Sequence, residues 1–146
     1  MKDKRFKELY ETYPKLFPEK FQIECNTGWL ELIKLVCQHF QIRLDDEDVE
    51  KIQFAQIKEK FGLLRIYFNV SITNKKDDRI FWDLHNFIST IEAVSSIVCE
   101  DCGKIKNKNF EVKTRVPRTW WKRTLCDKCN KIDKQIWIKE EEQNVH

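Results

Sequence analysis

Four cysteines constrain this chain more than any other feature. Cys99 and Cys102 form one C-x-x-C pair, Cys126 and Cys129 a second, and 23 residues separate them. Two thiolates at this spacing grip one metal ion from a single tight turn, and two such turns complete the tetrahedral four-thiolate shell of a structural Zn²⁺ site. Gly103 suits the first turn, because the chain must bend sharply away from the metal and glycine tolerates positive φ. The second pair follows Leu125, the end of an expected strand, and Cys129, Ile132, Ile136 and Trp137 then recur at helical spacing. A turn, a hairpin and a helix whose first turn supplies the last thiolates is the plan of a treble-clef or ribbon-like zinc finger. Ligand type and spacing favour one structural Zn²⁺ over an iron–sulfur cluster, a redox pair or disulfides.

The 146 residues suffice for one domain, or for a small domain carrying a zinc module. The expected division is a helix-and-hairpin domain over 1–98 and a zinc-finger module over 99–146, rigidly joined because a long helix runs directly into Cys99. With 41% hydrophobic and 12% aromatic residues the chain can bury a core, which excludes a disordered protein. The start, Met1-Lys2-Asp3-Lys4-Arg5-Phe6-Lys7, has no apolar leader, and no later stretch approaches the ~18 apolar residues of a membrane span. The expected location is the cytoplasm, where thiols stay reduced and paired cysteines read as metal ligands. Cys25 and Cys37, in apolar surroundings, read as buried free thiols.

The net charge of +3 is concentrated. Residues 104–134 carry eleven Lys and Arg against Glu111, Asp127 and Asp133, a net +8, of which four thiolates with Zn²⁺ would return −2. Such a field attracts polyanions, above all nucleic acid. Lys113, Arg115, Arg118, Trp121, Lys122 and Arg123 are the candidate nucleic-acid contacts. One of Trp120 and Trp121 is free to stack on a base if the other packs under the metal site, although core packing of both is the simpler reading.

Along the chain, Phe6, Leu9, Tyr10 and Tyr13 predict a helix over 3–13, ended by Pro14 and Pro18. Asn26 and Thr27 are good N-caps for a second helix with Trp29, Leu32, Ile33, Val36, Cys37 and Phe40 on its apolar stripe. The period changes to two between Ile52 and Val70, with a break at Phe61-Gly62, and this predicts a β-hairpin. Centred there, the register sets Lys58 against Arg65, Ile57 against Ile66, Gln56 against Tyr67 and Ala55 against Phe68. Ala55, Ile57, Leu64, Ile66, Phe68 and Val70 then face the core. Asp77 or Asp78 caps a long helix bearing Ile80, Phe81, Leu84, Phe87, Ile88, Ile91, Val94 and Val98. His39 and His85 read as core histidines, and residues 139–146 as a fraying charged tail.

Lys58 opposite Arg65 needs a reason, because like charges directly across a ladder destabilise it. An anion between them removes the repulsion. Glu59, Lys58, Lys60, Arg65 and Tyr67 therefore form a candidate catalytic group. Metal-independent RNA cleavage needs a base, cations for the developing phosphorane charge and an acid. The plainer reading of Lys-Glu-Lys beside a turn is a solvated hairpin end. No Ser-His-Asp arrangement, Walker loop, dinucleotide glycine motif or H-E-x-x-H helix is present.

Gly28-Trp29 before a helix, the run from Gln56 to Tyr67 (Q-I-K-E-K-F-G-L-L-R-I-Y), Cys99-Glu100-Asp101-Cys102-Gly103 and Thr124-Leu125-Cys126 together resemble a family of small uncharacterised proteins of bacteria and phages, over about Glu24 to Cys129. The resemblance implies that the last metal position is Cys or His; here it is Cys129. More loosely the chain resembles zinc-finger ribonucleases of antiphage defence. The resulting expectation is an α+β protein, helices flanking a β-hairpin with a C-terminal treble-clef or ribbon-like zinc finger. It would act on or bind nucleic acid, RNA favoured, as a small antiviral-defence nuclease of the phage–host conflict. The rival is a non-enzymatic zinc-stabilised adaptor or inhibitor that docks a phage or host protein.

Overall fold

The computed structural model describes residues 4–106, 112–115 and 122–144, with 112–115, 137 and 141 in backbone only. Candidate contacts Arg118 and Trp121, like Trp120, lie outside the described residues.

The architecture is α+β. A three-stranded sheet has the order β1 (Ile23–Glu24), β2 (Val49–Lys60), β3 (Leu63–Ile72), with β1 parallel and β3 antiparallel to β2. Against its inner face pack α2 (Leu30–Leu44), α3 (Arg79–Ser95) and the N-terminal segment, which holds a 3₁₀ turn at Lys4–Phe6, α1 (Lys7–Thr12) and a second 3₁₀ turn at Pro14–Leu16. A second sheet, β4 (Val112–Arg115) with β5 (Arg123–Cys126), leads into α4 (Asp127–Asn144). Among the described residues no helix is long and apolar enough to cross a membrane.

The core follows the apolar periodicity. Trp29, Ile33, Val36, Cys37 and Phe40 of the second helix region are buried, and Phe40 stacks on Phe54 at 5.3 Å between ring centroids. Phe17 joins them, 5.0 Å from Phe54. The thiol of Cys37 is pushed up by burial, so it stays protonated and inert.

The hairpin register matches expectation from Lys60↔Leu63 to Gln56↔Tyr67, including Lys58↔Arg65. Beyond that it departs. A β-bulge between Phe54 and Gln56 leaves Ala55 unpaired, so Phe54 takes the place opposite Phe68 and is buried while Ala55 is exposed. Volume decides this: a phenyl ring buries far more apolar surface than a methyl, and the extra residue lets the strand turn it inward. At the tip both Phe61 (φ 53°) and Gly62 (φ 78°) are left-handed, as a two-residue type I′ hairpin demands. Phe61 takes this unfavourable conformation where the Glu59 carboxylate accepts the Gly62 N–H at 2.7 Å.

Several local expectations are corrected. Asn26 makes no side-chain cap for the helix beginning at Leu30; its amide instead donates to Asp101 at 2.7 Å. At α3, Asp78 occupies the N-cap without a capping bond, and the Asp77 carboxylate accepts the Arg79 N–H. His85 is exposed beside Phe81, and half-buried His39 stacks on Phe87 with Nε2 2.8 Å from Asp83. Residues up to Asn144 continue α4 where a frayed tail was expected. The free edge of β3 is closed by α3: Ser95 accepts the Leu64 N–H and Glu92 the Ile66 N–H, which removes two exposed donors from an edge strand.

Candidate metal centre and sheet face

The cysteines come together because three local structures meet. Val98 bridges to Ile105, Cys99 N–H donates to the Lys104 carbonyl at 2.8 Å, and Gly103 N–H donates to the Cys99 carbonyl at 2.9 Å, closing a tight loop that aims both thiols one way. Gly103, at φ 80°, makes the turn, as its place in the sequence requires. Cys126 ends β5, and Cys129 lies in the first turn of α4 with its N–H toward the Cys126 sulfur at 3.4 Å.

All four Sγ atoms lie within 4.8 Å of one another, with Cys102 and Cys126 3.7 Å apart. Tetrahedral thiolates at ~2.3 Å from Zn²⁺ stand ~3.8 Å from each other, so the donor set fits a four-coordinate metal. Burial alone would hold the thiols protonated, as it does Cys99. At Cys126 the N–H of Cys129 and the neighbouring thiols outweigh burial, and its thiol falls below the ordinary range.

Around the cysteines lies a polar node that the spacing did not reveal. Glu100, between the first two ligands, is buried. One oxygen accepts Arg123 Nε at 2.6 Å and the other the Thr124 N–H at 2.9 Å. Arg123 gives its remaining nitrogens to Asp133 at 2.8 Å and Asp101 at 2.5 Å. Burial pushes the Glu100 carboxyl upward against these donors, while the three carboxylates hold the Arg123 guanidinium firmly protonated despite its burial. The Gly28 N–H donates to the Glu100 carbonyl, Trp29 Nε1 to the Val98 carbonyl, and the Thr124 hydroxyl to the Gly62 carbonyl. The dispersed Gly28-Trp29, hairpin-tip, C-E-D-C-G and T-L-C motifs thus form one junction.

This placement corrects the cationic reading of Arg123: with its side chain 13% exposed, its charge is spent on three acids rather than offered to phosphate. Lys113 and Arg115 lie in β4, described in backbone only, and Lys122 is exposed.

The proposed catalytic group does not assemble. Residues opposite each other in a ladder share a face, so Lys58 with Arg65, Lys60 with Leu63 and Gln56 with Tyr67 point outward. Glu59 pairs with Leu64 on the inner face and lines a cleft of about 350 Å³ with Arg5, Asn26, Glu100 and Arg123. The carboxylate is therefore separated from its intended cations by the sheet. The alternation could have shown this from sequence, because Leu64 belongs to the buried set and Glu59 faces it.

What the outer face does hold is a continuous polar surface. Lys51, Gln53, Gln56, Lys58 and Lys60 stand on β2, and Leu63, Arg65, Tyr67, Asn69 and Ser71 on β3, and Glu24 of β1 joins the same face beside Lys58. Tyr67 is 48% exposed, and Arg65 reaches Glu92 at 3.8 Å around the strand edge.

Fold and site together define an α+β protein with a four-cysteine cluster able to bind a metal. No protein-family model, curated protein or solved structure matches the chain.

Proposed function

We propose that this is a zinc-stabilised RNA-binding protein whose contact surface is the outer face of the β2–β3 ribbon. The observation that carries the reading is the Lys58–Arg65 pair, held side by side on an exposed face that adds Lys51 and Lys60, against the carboxylates of Glu24 beside Lys58 and Glu92 3.8 Å from Arg65 at its two edges. A like-charged cross-strand pair costs stability unless an anion lies over it. Phosphates supply that anion, exposed Tyr67 supplies a stacking surface, and Gln53, Gln56, Asn69 and Ser71 supply partners for ribose hydroxyls and base edges. Zinc enters as the structural ion: its four thiolates fix β5 and α4 against the C-E-D-C-G loop, and the junction at Thr124 and Gly62 fixes the hairpin tip.

Titration of labelled single-stranded RNA tests this. Affinity should fall steeply as salt rises, since phosphate contacts release counterions, and Lys58→Ala/Arg65→Ala should weaken binding at least about tenfold and flatten the salt slope. The same mixtures run on a gel should show intact RNA, because Glu59 lies across the sheet from the cations. Absence of binding at low salt would sink the reading. The adaptor reading would then lead, supported by the exposed aromatic pair Phe81 and Trp82 on α3.

A further inference from the structure

The bulge at Ala55 opens a cleft of about 470 Å³ beside the ribbon, lined by Lys20, Gln22, Glu24, Gln56 and Tyr67 among others. That volume falls in the range of small-ligand sites, about 300–1,000 Å³. Its polar groups are arranged in a particular order. Gln56 Nε2 lies 3.4 Å from one oxygen of Glu24, which leaves that amide a second N–H and the carboxylate its other oxygen and a further lone pair on the shared one. Glu24 pairs with Lys58 in the parallel β1–β2 ladder, so this carboxylate borders the cationic face. The exposed Tyr67 ring stands beside them as a wall.

We infer that this cleft reads an unpaired guanine in the bound RNA strand. The inference rests on the sheet-face reading above and names its specificity. Of the four RNA bases, only guanine presents two adjacent donors, N1–H and the N2 amino group, next to an acceptor, O6. A carboxylate accepts both donors while the neighbouring Gln56 amide N–H donates to O6, and Tyr67 covers the ring. Adenine and cytosine would set a ring-nitrogen lone pair against Glu24, and uracil would flank its single N–H with carbonyl oxygens. Each wrong base therefore leaves the carboxylate facing an acceptor. The bulge bounds the site: it breaks the register at Ala55, whose small side chain lines the cleft, while Gln56 keeps its place opposite Tyr67 and within reach of Glu24.

Anisotropy titrations with labelled oligouridine, and with the same strand carrying one central guanine or one central inosine, separate the outcomes. Guanine should bind at least about tenfold tighter than uridine, the scale of one bidentate base contact. Inosine, lacking the N2 amino group, should fall between them. Glu24→Gln, a substitution on an exposed residue, should abolish the guanine preference while leaving the salt slope unchanged. Removal of a merely repulsive charge would instead raise affinity for every strand equally and keep the preference, which would overturn the assignment. Equal binding of guanine and uridine strands by the unaltered protein would overturn the guanine site and leave the sheet-face reading standing. No binding of any strand would remove both. Displacement of the strand by micromolar GMP would assign the cleft to a free nucleotide and overturn the strand reading.

Discussion

The Thr124 hydroxyl donates a 2.5 Å hydrogen bond to the carbonyl oxygen of Gly62, tying the strand that enters the second cysteine pair to a hairpin tip 62 residues earlier. The bond is buried, and Glu100 completes it by accepting the Thr124 N–H and donating its own N–H to the Thr124 carbonyl. Thr124→Val keeps the shape and deletes the donor, leaving the Gly62 carbonyl unsatisfied. We expect a loss of about 1–3 kcal/mol in urea unfolding, with metal content unchanged. Unaltered stability would show that water replaces the hydroxyl.

Arg123→Met keeps the bulk of the stem and strips the charge that three carboxylates share. Removing one side of a buried ionic cluster costs about 3–5 kcal/mol, so the variant should melt far lower or fail to fold its C-terminal part. If it were instead as stable as the parent and weaker toward RNA, Arg123 would be a phosphate contact after all.

Gly28 touches the first cysteine loop directly. A Cβ at this position would lie 2.2 Å from the Cys99 carbonyl oxygen and 2.3 Å from the Glu100 carbonyl carbon, both main-chain atoms with no rotamer to yield. Gly28→Ala should cost at least about 1–3 kcal/mol and speed loss of metal to a chelator. Equal chelation rates for the two proteins would mean that the loop and the α2 entry are not mechanically joined.

Elemental analysis of dialysed protein should find one zinc per chain, and Cys126→Ser/Cys129→Ser should lose it. Chelation should unfold at least β4, β5 and α4, because structural zinc supplies roughly 10 kcal/mol or more of apparent folding energy in small modules. A metal-free protein with an unchanged circular dichroism spectrum would refute the assignment.

Acid should release the start of α3. Hydrogen bonds from the Arg79 side chain and N–H hold the Asp77 carboxyl at about 2, below its ordinary 3.8. A depressed carboxylate contributes stability above its unfolded value, so this contribution is complete above about pH 4 and fades as pH falls toward 2. Asp77→Asn should flatten that part of the acid titration of helicity. An unchanged titration would show that other carboxylates govern it.

The sequence was most legible where a local rule acts alone. The thiolate pairs, the turn at Gly103, the apolar stripe from Trp29 to Phe40 and the hairpin from Lys60 to Gln56 each depend on spacing within a few residues, and each stands as read. Local rules give way where residues of one segment are used by another. Asn26 looks like a cap and serves Asp101, and Arg123 looks like a phosphate contact and serves Glu100, because side-chain hydrogen-bonding capacity carries no record of its partner.

By itself the sequence determined the main helices, the clustering of the four cysteines and the register of the hairpin near its turn, since helical and strand periods and the reach of a C-x-x-C loop are properties of a short chain. Only the tertiary structure decided which cations stay free. It paired the two-residue strand at Ile23–Glu24 with β2, turned Phe54 inward at the expense of Ala55, put Glu59 behind the sheet and drew Arg123 into a cage of acids. The physical reason is that burial and charge pairing are settled between distant segments, where the largest apolar surface and the nearest opposite charge prevail over any preference written locally.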